Sequence, residues 1–265
     1  MARGRKLKTL EDYIRSLKNK YGLGAGVDYK PWFRVQDVPS KGLSSKIQGL
    51  KINRDHHTLS KQETEFFYLA EFSDVVVDVR EQFPLLPLDL SVRISKTIDV
   101  GHPEVPGTKT KHLMTTDFLL TCSDGKKDWY VAVSVKPEED LQDENVLEKL
   151  EIERLWWELL DIKFVLFCSS SETKVQSENI AWVTDPVRHK LDCLTLITEE
   201  MKQKAIKLIV LGNQLQETMC KDFIRELELS TVDPLILLKV LIAEKRLTVD
   251  LSLPMVETGM ISVIG

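Results

Sequence analysis

The stretch from Asp117 to Cys168 limits the possible folds of this chain more than any other part. Asp117–Cys122 and Trp129–Lys136 are runs of strand-forming residues separated by Ser-Asp-Gly-Lys-Lys-Asp, and Asp124-Gly125 is a favoured hairpin turn pair. A long helix follows, over residues 140–160, and then Phe164-Val165-Leu166-Phe167, apolar throughout as in a strand covered on both faces. Strand, long helix, strand is a crossover unit of right-handed sense. Upstream, Ser60 opens a helix over residues 61–72 that turns Phe66, Phe67, Leu69 and Ala70 toward a core. Val75–Val79 is the β-branched run of a buried strand. Helix, three strands, helix, strand predicts an α/β domain with helices on a mixed sheet.

The remaining segments are more weakly determined. Thr9 caps a first helix over residues 9–21, with Asp12 three positions on and Leu10, Ile14 and Leu17 on one face. Residues 28–53 are rich in Pro, Gly, Ser and Lys and read as an irregular wrap with short extended pieces at Trp32 and Val35. Residues 88–111 read as an excursion. Ser169-Ser170-Ser171-Glu172 reads as a linker, which divides the chain into a catalytic-type domain, 1–168, and a mainly helical domain, 169–265. Helices at 198–211, at 217–227 and from about Thr231 precede an alternating run, Leu247–Leu253, whose hairpin mate is Met260–Ile264. Three helices and a hairpin give the winged-helix order. The last of these helices carries Leu235, Ile236, Leu237, Leu238, Val240, Leu241 and Ile242, too apolar to read bases, which favours packing or protein binding.

Charge and composition exclude several classes. A net charge of -5 argues against a chain that grips DNA tightly alone, because nonspecific affinity comes from neutralising phosphates. The basic arm over residues 1–20 is the exception: Arg3, Arg5, Lys6 and Lys8 read either as contacts to a DNA backbone or as a solvated terminus. No run approaches the ~20 apolar residues of a membrane span, and the basic start lacks a signal-peptide core, so a cytoplasmic protein without membrane contact is expected. Cys122, Cys168, Cys193 and Cys220 form no Cys-x-x-Cys pair and suggest neither zinc nor redox chemistry, nor does anything call for an organic cofactor.

Phosphodiester hydrolysis needs oxygen ligands for a hard divalent cation and a cationic group beside them. If Cys122 pairs near Trp129 or Tyr130, antiparallel counting sets Asp117 across from Ser134 or Val135. An aspartate, the Val135 carbonyl and Lys136 then converge at one end of the sheet. Glu63 has a competing reading, since Ser60-Lys61-Gln62-Glu63 is a capping box. Glu153 falls on the apolar stripe of the long helix with Val146, Leu150, Trp157 and Leu160, where an unpaired carboxylate would be costly. It meets Lys136 or a metal-bound water, or an arginine such as Arg154 or Arg80. His56-His57 reads as structural, because adjacent strand residues point to opposite faces.

Seven ordered blocks resemble the TnsA family. They are Asp28-Tyr29-Lys30-Pro31-Trp32, Val38-Pro39-Ser40, His56–Ser60, Asp78–Pro87, Thr115–Leu119, Val135-Lys136-Pro137 and Leu147–Arg154, and the resemblance extends roughly over residues 29–179. The element order is likewise that of restriction-endonuclease-like nucleases. The resemblance implies a Mg²⁺-dependent endonuclease, with Mn²⁺ as substitute, that cuts the non-transferred strand at transposon 5′ ends. It acts on double-stranded DNA with a TnsB-like transposase and a TnsC-like ATPase. By motif position the implied catalytic set is Glu63, Asp117 and Lys136, with Glu63, Asp117 and the Val135 carbonyl on the metal. Ser134 stands where the family carries an acidic or amide residue, so it would reach the metal through water. Two other functions compete: a noncatalytic adaptor joining a DNA-bound transposase to its ATPase, and a winged-helix transcription regulator.

Overall fold

A computed structural model describes residues 4–38, 43–229 and 232–265. Pro39, Ser40 and Arg3 lie outside them, as does the expected helix start at Thr231. The chain divides into two compact units between Ser169 and Ser170.

Unit 1 opens with α1 (Leu10–Lys18), whose Thr9 side chain accepts from the Asp12 N–H while Asp12 reaches back, the capping box expected from sequence. The segment read as an irregular wrap holds single 3₁₀ turns at Gly26–Asp28 and Val35–Asp37. It also contributes β1 (Ser45–Gln48), which pairs antiparallel with β2 (Asp55–Thr58). These strands are too polar and short to announce themselves. They are fastened by a buried carboxylate on the next strand rather than by apolar alternation.

α2 (Lys61–Phe72) leads into β3 (Val76–Pro84), several residues longer than its β-branched run. The expected excursion contains a further helix, α3 (Leu88–Thr97), preceded by Pro87, which supplies no side-chain cap and so no sequence signal for its start. β4 (Thr115–Ser123) and β5 (Asp128–Val135) form the expected hairpin, and α4 (Glu144–Glu158) carries the chain over to β6 (Lys163–Phe167). The sheet order is β3-β4-β5-β6, with β6 parallel to β5 and the other pairs antiparallel.

The sheet is covered on both faces. Phe67 and Ala70 of α2 pack on Val79, Phe118, Leu120, Val133 and Val135; Ile152, Trp156 and Trp157 of α4 pack on Leu119, Ala132 and Met114. Burying a side chain such as Phe118 or Ile152, both fully enclosed, stabilises by about 1.5–3 kcal/mol. Trp157 also donates its indole N–H to the Thr116 hydroxyl at 2.6 Å, pinning α4 beside Asp117.

In unit 2 the expected linker is instead the start of α5 (Ser171–Arg188): Ser170 and Thr173 cap its first turn reciprocally, because a Ser-rich run serves a helix N-terminus as well as a tether. α6 (Glu199–Leu208), β7 (Gly212–Leu215), α7 (Gln216–Leu227), α8 (Pro234–Ala243), the one-turn α9 (Met255–Thr258) and β8 (Met260–Val263) follow. β8 pairs with β7 and also with the Leu247–Leu253 run as expected, where an antiparallel bridge from Val249 to Val263 is flanked by bonds from Asp250 N–H to Ser262 O at 2.9 Å and from Ile264 N–H to Thr248 O at 2.9 Å. α8 is the core of this unit, with Leu237, Leu238 and Leu241 fully buried, so its apolar character serves packing. Among the described residues no helix is long and apolar enough to cross a membrane.

Candidate active site

The β4–β5 register pairs Cys122 with Trp129 and Phe118 with Val133, so one step further sets Asp117 opposite Ser134. Asp117 Oδ2 accepts from the Lys136 ammonium at 2.8 Å, from the Val135 N–H at 2.7 Å and from the Ser134 hydroxyl at 3.3 Å. Lys136 Nζ also donates to the Val135 carbonyl at 2.9 Å, and the Lys136 N–H donates to Phe167 O at 3.0 Å, prolonging the β5–β6 ladder by one residue. Aspartate, carbonyl and ammonium therefore meet at one sheet end.

Glu63 joins them from α2. The Ser60 hydroxyl accepts from the Glu63 N–H at 3.1 Å, but the Glu63 carboxylate takes the Leu59 N–H at 2.9 Å instead of closing a box on Ser60. The same oxygen accepts from Gln82 Nε2 at 3.3 Å, and Gln82 Nε2 also donates to Asp117 Oδ1 at 3.5 Å. Glu63 thus caps the helix and faces the site at once. Gln82 went unnoticed in the sequence, where a lone Gln in a strand carries no signal.

Glu153 enters from α4 on the other face of the sheet. It is 5% exposed, and its Oε1 meets no hydrogen-bond partner among the described residues. Arg154 is occupied by Glu151 and Glu158, and Arg80 bonds Thr121, so of the neighbours weighed for Glu153 it is Lys136 that senses its charge.

Electrostatics follow from this crowding. Burial, then the Asp117 charge, push Glu153 up to about 8, against a smaller pull from Lys136. Burial and Asp117 likewise raise Glu63. For Lys136, burial favours the neutral form, but Asp117, Glu153 and Glu63 outweigh it and raise its pKa, so it remains an ammonium. A carboxyl raised in the folded state binds its proton more tightly there than in the unfolded chain. Its contribution is complete below the ordinary carboxylate range and is lost as pH rises through the folded value. Metal-free protein should therefore lose on the order of 2–4 kcal/mol between about pH 5 and 8 through Glu153, and Glu153→Gln should flatten that slope in urea unfolding. An unchanged slope would show that Glu153 does not carry it.

Elsewhere, Arg5 is turned into unit 1. Its guanidinium pairs with Asp37 at 2.7 Å and lies 3.6 Å above the Tyr21 ring. Lys6 and Lys8 are exposed. His56 and His57 are both buried; the His56 ring bonds Glu81 and the His57 ring accepts from the Val35 N–H. No group of three or more His, Cys, Asp or Glu side chains suited to a metal occurs among the described residues.

A mixed sheet flanked by helices, with Glu63, Asp117 and Lys136 gathered at one end, fits the restriction-endonuclease-like class. The family described as TnsA-like endonuclease N terminal matches residues 73–169. The chain is also 43% identical over 169 residues to the transposon Tn7 transposition protein TnsA of Escherichia coli, a match covering 64% of this chain and 60% of that relative. Over residues 73–169 unit 1 is similar to the N-terminal domain of TnsA-like endonucleases, and the chain spans about 60% of the length of the relative it matches.

Proposed function

We propose that the protein is a cytoplasmic, Mg²⁺-dependent DNA endonuclease that cuts the non-transferred strand at the 5′ ends of a transposon, working with a TnsB-like transposase and a TnsC-like ATPase. The observation that carries this reading is the 2.8 Å contact between Lys136 Nζ and Asp117 Oδ2, with Glu63 joined to the same aspartate through Gln82.

The donors suit a hard cation. Two carboxylates and the Val135 carbonyl are oxygen ligands, and too few side chains converge for an all-protein cage, which favours an ion that keeps several waters. Mg²⁺, or Mn²⁺ in its stead, would be held by Glu63, Asp117 and the Val135 carbonyl, with Ser134 reaching it through water. When bound, it polarises the scissile phosphate and acidifies a water. Lys136, held by Asp117 and the Val135 carbonyl, would orient the attacking oxygen or offset charge that builds on the phosphate. The Glu153 carboxyl, with an unpartnered oxygen, supports the lysine from α4.

Of the basic residues expected to contact DNA, Lys6 and Lys8 are exposed, whereas Arg5 is engaged by Asp37. Arg3, part of the same expected basic set, falls outside the described residues. In unit 2 a winged-helix-like reading is supported by the order α6, β7, α7, α8 and the Val249–Val263 bridge beside β8. With α8 enclosed in its own core, contact with a protein partner suits this unit better than base reading.

Transposon-end DNA, labelled on each strand and incubated with Mg²⁺ and the partner proteins, should be nicked at the 5′ ends by wild type alone. Undiminished nicking by both Asp117→Ala and Lys136→Ala would end the proposal. A Mn²⁺-dependent thermal shift that Asp117→Ala abolishes would separate the nuclease from a noncatalytic adaptor, which should show none.

A further inference from the structure

Gln82 is 3% exposed within a strand, yet its φ is 49°, in the left-handed region that only glycine enters freely. Pairing of Glu81 with Phe118 and of Phe83 with Thr116 leaves Gln82 directly opposite Asp117. The conformation has a visible effect on the strand. Glu81 bonds His56, whose ring lies 4.7 Å from Phe67 on the α2 side, while Phe83, two residues on, lies 5.8 Å from Trp157 on the α4 side. Residues two apart in a regular strand share a face, so β3 changes sides at Gln82. The carbonyl of Gln82 takes the Trp32 N–H at 3.2 Å, which holds the turned peptide in place.

The side chain is equally constrained. Its Oε1 accepts from the Thr115 hydroxyl at 3.1 Å, which leaves the amide nitrogen to face Glu63 at 3.3 Å and Asp117 at 3.5 Å. A primary amide has two N–H donors, one for each carboxylate. It is a neutral group between two acids that would otherwise repel each other. Polar partners of this kind fix the orientation of metal-binding carboxylates and tune their affinity.

We propose that Gln82 is the positioning residue of the cation site: its amide spans Glu63 and Asp117 and keeps both oriented toward a common ion, and its left-handed backbone is what delivers the amide between the two sheet faces. The inference rests on the metal-dependent reading above and adds a residue to it.

The test is Mn²⁺ titration of the full chain by calorimetry, without DNA, alongside melting temperatures without metal. Gln82→Gly removes the amide but accepts the same φ, so its metal-free melting temperature should fall only modestly, the lost hydrogen bonds being partly offset by relief of the left-handed backbone. Its Mn²⁺ affinity should fall about tenfold or more. Thr115→Val, which frees the amide to turn, should weaken Mn²⁺ less, by about threefold. Wild-type Mn²⁺ affinity in Gln82→Gly would overturn the inference while leaving the nuclease reading intact. If Gln82→Gly does not fold, unchanged affinity in Thr115→Val would overturn it equally. Failure of the wild type itself to bind Mn²⁺, or binding that persists in Asp117→Ala, would refute the metal site and Gln82's role with it.

Discussion

Lys136→Ala is expected to slow DNA cleavage about 10²–10³-fold, the scale on which removing one preorganised donor acts in other enzymes, or about 3–4 kcal/mol of barrier. The lysine lies 2.8 Å from Asp117 and 2.9 Å from the Val135 carbonyl, so its charge is fixed before substrate arrives and no reorganisation is needed during reaction. Metal binding should survive the change, since Lys136 offers no lone pair to a cation while protonated, and removing a positive charge favours cation binding. Asp117→Ala should lose cleavage and metal binding together. Single-turnover cleavage at saturating Mg²⁺, measured beside a Mn²⁺ titration, separates the two. Cleavage by Lys136→Ala within about threefold of wild type would exclude its proposed role.

Glu81→Ala should be the most damaging stability variant, at about 3–5 kcal/mol, because it leaves a buried charge unpaired. Glu81 is fully buried; Arg54 grips both its oxygens at 2.7 Å, His56 Nδ1 lies at 3.1 Å and the His57 N–H donates at 3.0 Å. Without it, the Arg54 guanidinium, 8% exposed, keeps its desolvation cost, and β2 loses its polar tie to β3. The pH dependence has the opposite sign to that of Glu153. Burial pushes Glu81 up, but hydrogen bonds from Arg54 and His56 and their charges outweigh it and hold the carboxyl at about 2. A depressed carboxylate stabilises fully above the ordinary range, and that contribution is lost as pH falls from about 4.5 through about 2. Urea unfolding at neutral pH and in acid would show both effects. A loss under about 1 kcal/mol for Glu81→Ala would mean that the network contributes little.

What could be read from sequence followed the strength of local signals. β4, β5, α4 and β6 were legible because turn chemistry, alternation and helical period agree there. The Asp117–Lys136 pair was legible too, since a hairpin register is a counting problem once the Asp124-Gly125 turn is set. β1 and β2 were not, because what holds them is Glu81, a residue far along the chain and silent about its partners. α3 was hidden by an uncapped start, and α5 by a serine cluster that also describes a tether. The pairing of Leu247–Leu253 with the last strand was legible because that run alternates, but the second partner of β8, β7, was not, because Gly-Asn-Gln-Leu does not. Glu153 declared itself as a charge on an apolar stripe, but only coordinates could choose Lys136 over Arg154. Gln82 depends on a backbone angle, and no composition or period encodes that.

The pieces of the constellation are scattered along the polypeptide: Glu63 on α2, Gln82 on β3, Asp117 on β4, Lys136 after β5 and Glu153 on α4. Lys136 is secured in part by Phe167, on the last strand of the sheet. A ribosome must therefore release more than half of the polypeptide before these groups can meet. A nascent fragment ending short of that strand already carries all five side chains but lacks the Phe167 carbonyl that secures Lys136, so the constellation is completed only when its own domain is finished.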